Sequence, residues 1–177
     1  MQKIFSIAAA LLLAACSSTP PPVYYTLPDS GFVMPEHTRG RTQTAVRVVL
    51  AEPFNRGGLV YRPAADRMSL AKGHLWARPL EQALASRLSN ELNRAGGARR
   101  YYVPAHQSSA AQSVVFYVEE FGGSWQGETR VAGYMQNGDD NRRFDAATPQ
   151  EGDGYPAMLS SLSRGISSAV RQLGAVF

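Results

Sequence analysis

Apolar positions follow two rhythms along this chain, every second residue in some stretches and every third or fourth in others. The switches between them mark out elements. "AVRVVLAE" (45–52) alternates as a strand does, "GGLVYR" (57–62) reads as a second strand, and residues 55–58 turn the chain between them. "RMSL" (67–70) reads as a short return strand, and Pro53 and Pro63 bound these segments. The period then changes. Trp76, Leu80, Ala83, Leu84, Leu88, Leu92 and Ala95 recur at three and four, which places them on one face of a helix. Pro79 is tolerable there only in the first turn, and Gly96-Gly97 stops the run.

Beyond the helix the alternation returns. "RYYVP" (100–104) predicts a short strand, and "SVVFYVEEF" (113–121) is the most strongly β-forming run in the chain. Gly122-Gly123-Ser124 predicts a hairpin turn into "WQGETRVAGYMQ" (125–136), and Asn137-Gly138-Asp139-Asp140 a second turn into "NRRFDAAT" (141–148). Tyr155, Leu159, Leu162, Ile166, Val170 and Leu173 form another helical stripe. Nearer the start, "VYYTLP" (23–28) reads as an edge segment packing on the domain and the polar residues 29–44 as a loop. Five to seven strands, mostly joined by hairpins, and two amphipathic helices predict an α/β fold of the α+β type. The expected sheet is mixed and mostly antiparallel, with both helices packed on one face.

The first 22 residues have another character. Lys3 precedes a charge-free run from Ile4 to Ala15, and the small residues Ala14 and Ala15 lead into Cys16, which is the build of a secretory signal. A membrane span needs about 20 apolar residues, more than this run supplies. Leu13-Ala14-Ala15-Cys16 resembles the bacterial lipobox, whose cysteine receives diacylglycerol on its thiol, becomes the new amino terminus by cleavage, and is N-acylated there. Several acyl chains on one residue would meet the need for more than one chain in stable anchoring. Cys16 is the only cysteine, so no intramolecular disulfide can form. The residue after it is Ser17 and not the aspartate that favours inner-membrane retention of bacterial lipoproteins, so the expected location is the periplasmic face of the outer membrane. The division expected is a signal peptide at 1–15, the lipidated cysteine with a proline-rich tether at 16–22, and one periplasmic domain at 23–177. Three consecutive prolines, 20–22, make the tether extended and semi-rigid.

Composition narrows the function by subtraction. Loss of Lys3 with the signal takes the 18 basic side chains to 17 against 14 acidic ones, a net charge of +3. These charges are scattered, with no stripe of the kind a nucleic-acid footprint requires. The three histidines, His37, His74 and His106, stand far apart without ligand spacing, so no metal is expected. "GGSWQ" misses the G-x-S-x-G nucleophile elbow because Gln126 occupies the second glycine's place and a strand follows, which leaves Ser124 a hairpin residue. Glu119 and Glu120 are strand neighbours that point to opposite faces, a poor acid–base pair. No phosphate-binding glycine loop is present. No enzymatic activity and no cofactor are expected, apart from the covalent lipid on Cys16.

One combination is more telling. The lipobox, "YYTLP" soon after the tether, "VRVVLAEPF", then "LVYR" followed by "HLWARPLEQALASRL" resemble in order and spacing the ABC-type transport auxiliary lipoproteins, the PqiC-like family. The chain departs from that pattern at Arg78, where an acidic residue is usual. The resemblance implies an accessory protein of an envelope lipid-transport system that partners an MCE-domain protein and docks the transport conduit at the outer membrane. It also allows a homo-oligomer. Candidate partner contacts are Tyr24, Tyr25, Leu27, Leu59, Val60, Tyr61, Arg62 and Trp76. Several have a plainer alternative: Trp76 as core or as a cap over the sheet, Tyr24 and Tyr25 as edge-strand packing, and Arg62 as a solvated flank. A structural envelope lipoprotein, or a small carrier holding acyl chains between sheet and helices, would show the same anchor.

Overall fold

The computed structural model describes residues 20–36, 40–104 and 112–174. The expected signal segment and Cys16 lie outside them. In chain order the elements are β1 (Val23–Tyr25), β2 (Thr42–Leu50), a 3-10 turn (Phe54–Arg56), β3 (Gly58–Ala64), β4 (Arg67–Trp76), α1 (Leu80–Ala95), β5 (Arg99–Tyr102), β6 (Gln112–Ser124), β7 (Glu128–Asn137), β8 (Asp140–Pro149) and α2 (Gly154–Leu173).

All eight strands join one sheet, and the sheet forks on β6. One edge of β6 pairs antiparallel with β7, from Val114↔Asn137 to Gly123↔Thr129, and β8 continues outward from β7. The other edge is shared. Its first half pairs in parallel with β2, ending at Leu50↔Val118, and its last residues pair with β3, Tyr61↔Gly123 and Arg62↔Ser124. A register shift between Val118 and Glu120 sits where β2 leaves and β3 takes over. Outside β2 lies β5, and outside β3 lie β4 and then β1. Four ladders are parallel, but the antiparallel β3–β4, β6–β7 and β7–β8 hold most of the paired residues. The mixed, mostly antiparallel sheet is therefore as expected.

Both helices cover the same face. Alternate residues of the strands, such as Val46, Val114, Phe116, Met135 and Phe144, are buried beneath Leu84, Leu88 and Leu92 of α1 and Leu162, Ile166 and Val170 of α2. Gly165 allows the closest approach, since a Cβ there would stand 2.9 Å from the Val131 side chain. The segment after β1 is laced onto α1. Leu27 enters the core, Asn90 donates to the Asp29 and Gly31 carbonyls and accepts from the Val33 amide, and Arg78 donates to the Ser30 carbonyl. That last bond is the structural use of the residue that departs from the family pattern.

Local expectations are corrected at several points. The return strand is 67–76, not 67–70, and Trp76 ends it instead of opening the helix: its amide donates to the Gly57 carbonyl across the β3–β4 ladder. The helix begins at Leu80, after Pro79. Gly122, Gly123 and Ser124 form no turn but the end of β6, and the hairpin turns at residues 125–127. Among the described residues the strands number eight, and β2 starts at Thr42, inside the segment expected to be loop.

Candidate functional site

At the end of the sheet where β3 meets β6, two adjoining hollows of about 270 and 320 Å³ open beside the β6–β7 turn. Backbone proximity makes their floor. A Cβ at Gly122 would lie 2.4 Å from the Val60 carbonyl oxygen, and one at Gly123 would lie 3.0 Å from the Met158 sulfur. Only glycines let β3 and α2 come this near β6. Tyr61 and Arg62 are successive residues of β3 and so leave on opposite faces. Arg62 grips Glu120 through Nε, at 3.2 Å, and through a second guanidinium nitrogen. Tyr61 lines both hollows, the one beside α2 together with Tyr155 and Met158. Trp125 in the turn borders both hollows and is 50% exposed, while Met68 of β4 lines the first and is 38% exposed.

Next to this end, the first turn of α2 is tied to the outer strands by aromatic contacts. The Tyr25 hydroxyl and His74 Nδ1 share a hydrogen bond of 3.0 Å, and the His74 and Tyr155 rings lie 4.3 Å apart. Burial raises the Tyr155 hydroxyl pKa, and the neighbouring Tyr61 and Tyr25 add to the rise. Trp76 packs on Phe121 at 6.1 Å, inside the core.

The expected contact residues thus divide. Leu27, Leu59, Val60 and Trp76 are buried, with exposures of 8% or less, and Val60 also lines the first hollow. For Trp76 this is the packing alternative. Tyr61 and Arg62 come together at the hollows, Tyr25 sits in the adjoining aromatic cluster, and Tyr24 is 62% exposed on the edge strand β1. Cys16 lies outside the described residues. Trp125, Met68 and Glu120 were missed. The available signal was a tryptophan in a glycine-flanked turn, where it has no apolar stripe to join.

Chemically the arrangement presents a surface of aromatic, apolar and ion-paired side chains. Ser124 Oγ accepts from the Gln126 amide at 3.3 Å, a turn role, and no histidine lines either hollow. Glu119 pairs with Arg143 and Glu120 with Arg62, so each carboxylate already has a guanidinium. Among the described residues no helix is long and apolar enough to cross a membrane, and no group of three side chains is placed to hold a metal ion.

Known proteins give the frame for this surface. The chain's fold is similar to that of a solved but uncharacterized protein, with a TM-score of 0.71 and 22% identity, covering 87% of this chain and 97% of that one. It is also similar to a DUF330 protein from Xanthomonas campestris, with a TM-score of 0.59 and 12% identity, covering 85% and 92%. At such identities these likenesses bear on the fold. No curated protein matches the chain. The family model for the ABC-type transport auxiliary lipoprotein component matches residues 25–174, a span that takes in β2 to α2 and every residue of the two hollows. The chain belongs to the family of ABC-type transport auxiliary lipoprotein components.

Proposed function

We propose that this protein is anchored through acylated Cys16 to the periplasmic face of the outer membrane, where it docks the MCE-domain protein of an ABC-type lipid-transport system. It works there by binding and not by catalysis. The observation that carries this reading is the exposed aromatic and apolar rim of Tyr61, Met68 and Trp125 around a fixed ion pair, in a chain of a transport-auxiliary family. Aromatic and methionine side chains with an adjacent arginine are what protein interfaces are enriched in. The tether of residues 16–22 would place the domain within roughly 25 Å of the bilayer surface, the extended reach of seven residues.

Photo-crosslinkers at Tyr61 and Trp125 in whole cells are expected to capture the MCE-domain protein, whereas one at Asp139, in the β7–β8 turn, is not. Cys16→Ala is expected to lose palmitate labelling and outer-membrane fractionation. Capture of peptidoglycan or a porin alone would replace this reading with a structural one, and co-purification of stoichiometric phospholipid would replace it with a carrier.

A further inference from the structure

The forked sheet has three outer edges, and two of them are each occupied at one residue by the same device. On β5, the Tyr101 amide donates to Asn93 Oδ1 at 3.0 Å and its carbonyl accepts from Asn93 Nδ2 at 2.9 Å and from Ser89 Oγ at 2.7 Å. On β8, the Asp145 amide donates to Gln172 Oε1 and its carbonyl accepts from Gln172 Nε2, each at 2.9 Å. In both places a side-chain amide from the last turn of a helix makes the pair of hydrogen bonds that a neighbouring strand would make. At that residue the edge has no free amide or carbonyl to offer another strand.

The third edge is treated differently. β1 covers β4 only at residues 74–76. Continuing its parallel register backward would set Pro20, Pro21 and Pro22 beside residues 71–73, and proline has no amide to donate to a ladder. Among the described residues nothing pairs with the outer side of 67–73. Met68 and Leu70, alternate residues of this stretch, are 38% and 39% exposed. Arg67, which Asp66 just before the strand approaches at 4.0 Å, and Lys72 flank them, β4 itself carries no carboxylate, and Lys72 is the only lysine beyond Lys3 in an arginine-rich chain. Met68 also lines the hollow at Arg62, so the edge is continuous with the docking surface.

We propose that residues 67–73 of β4 are a strand-addition site for an extended segment of the partner protein in which acidic residues alternate with apolar ones. Main-chain hydrogen bonds would hold the segment, and side-chain alternation would select it. Charge selects the class of occupant. Two copies of this edge meeting each other would bring lysine and arginine against lysine and arginine, whereas an acidic strand meets both with opposite sign. The inference rests on the docking reading for the identity of the partner, but not for the chemistry of the edge.

Hydrogen–deuterium exchange on the full-length acylated chain in detergent micelles tests it with two probes: a capped peptide of alternating glutamate and valine, and the periplasmic part of the MCE-domain protein. The expected result is slowed exchange confined to amides of 67–73 with each probe. A double variant, Arg67→Glu with Lys72→Glu, should weaken peptide binding about tenfold, and a lysine–valine peptide should then bind in its place. Unchanged melting of the variant shows that the fold is intact. Protection of other strands, or equal affinity for both peptides, overturns the proposal. MCE-domain binding that protects another surface overturns the edge and spares the docking reading. Peptide protection of 67–73 without MCE-domain binding does the reverse.

Discussion

A methyl group at Gly122 would have to occupy space 2.4 Å from the Val60 carbonyl oxygen, and the obstacle is backbone, which cannot swing aside as a side chain can. Gly122→Ala is therefore expected to push β3 off β6 and lower unfolding free energy by about 1–3 kcal/mol or more, read by chemical denaturation. The same displacement should loosen the Arg62–Glu120 pair and shift the Trp125 emission. A variant as stable as the parent would mean that the two strands do not touch here. This single residue also shows where sequence reading stops. Gly-Gly-Ser has the chemistry of a turn, and only the neighbouring strand, distant in sequence, converts that signal into a demand for close approach. Leu59 and Val60 illustrate the complement. They look like part of an exposed motif, yet both are buried because β3 is an inner strand, flanked by β4 and β6. Tyr61 and Arg62, from the same tetrapeptide, stay partly exposed at the hollows, where β3 nears its end.

The two helices were legible at the scale of the element, because a stripe repeating at three and four leaves few alternatives. Leu84 of α1 and Leu162 of α2 are 1% and 0% exposed. Leu84→Ala and Leu162→Ala are each expected to cost about 2–5 kcal/mol in equilibrium unfolding; losses below about half a kilocalorie would mean the stripes face elsewhere. The start of α1 was not legible, for a physical reason. Trp76 stands four residues before Leu80 and so matches helical spacing, but sheet pairing on both sides decides the matter: the Trp76 amide bonds to Gly57 and the Ala77 amide to Tyr25. Nor could spacing reveal the duty of Asn93 and Gln172, which read as ordinary polar positions near a helix end. Their partners, Tyr101 and Asp145, lie 8 and 27 residues away.

Over the whole molecule, charge binds the segment after β1 to the helices. Arg87, nearly buried, pairs with Glu91 and Ser167 and reaches Asp29 at 3.6 Å, and Arg94 pairs with both carboxylates. Burial pushes the Glu91 carboxyl up, but the hydrogen bond and charge of Arg87, the Ser167 hydroxyl and Arg94 together hold it below its ordinary 4.5. The Arg130 hydrogen bond and charge, aided by Arg143, hold Asp145 below its ordinary 3.8 against partial burial. Burial pushes the Tyr101 hydroxyl from 10.0 up to about 12, against the opposing charge of Arg99. The two carboxylates contribute stability above their unfolded values that is lost as pH falls through the folded ones. Tyr101 contributes stability below pH 10.0 that is lost as pH rises toward about 12. Melting temperature should thus hold a plateau around neutrality and fall on both sides. In Tyr101→Phe the alkaline fall between these two values should shrink, and an unchanged alkaline limb would contradict the assignment. The fork on β6 carries a further consequence, for the order of folding. Before residue 112 is made, β5 can pair only with β2, and β4 only with β3 and β1, so the chain holds separate ribbons with raw inner edges. β6 is the strand both ribbons await, and its partner β2 lies some 68 residues upstream by the register Thr44↔Gln112. Closing so long a loop is slow. A growing chain therefore passes most of its synthesis with its central seam open, and holding that seam apart from other chains falls to whatever escorts the unfinished protein.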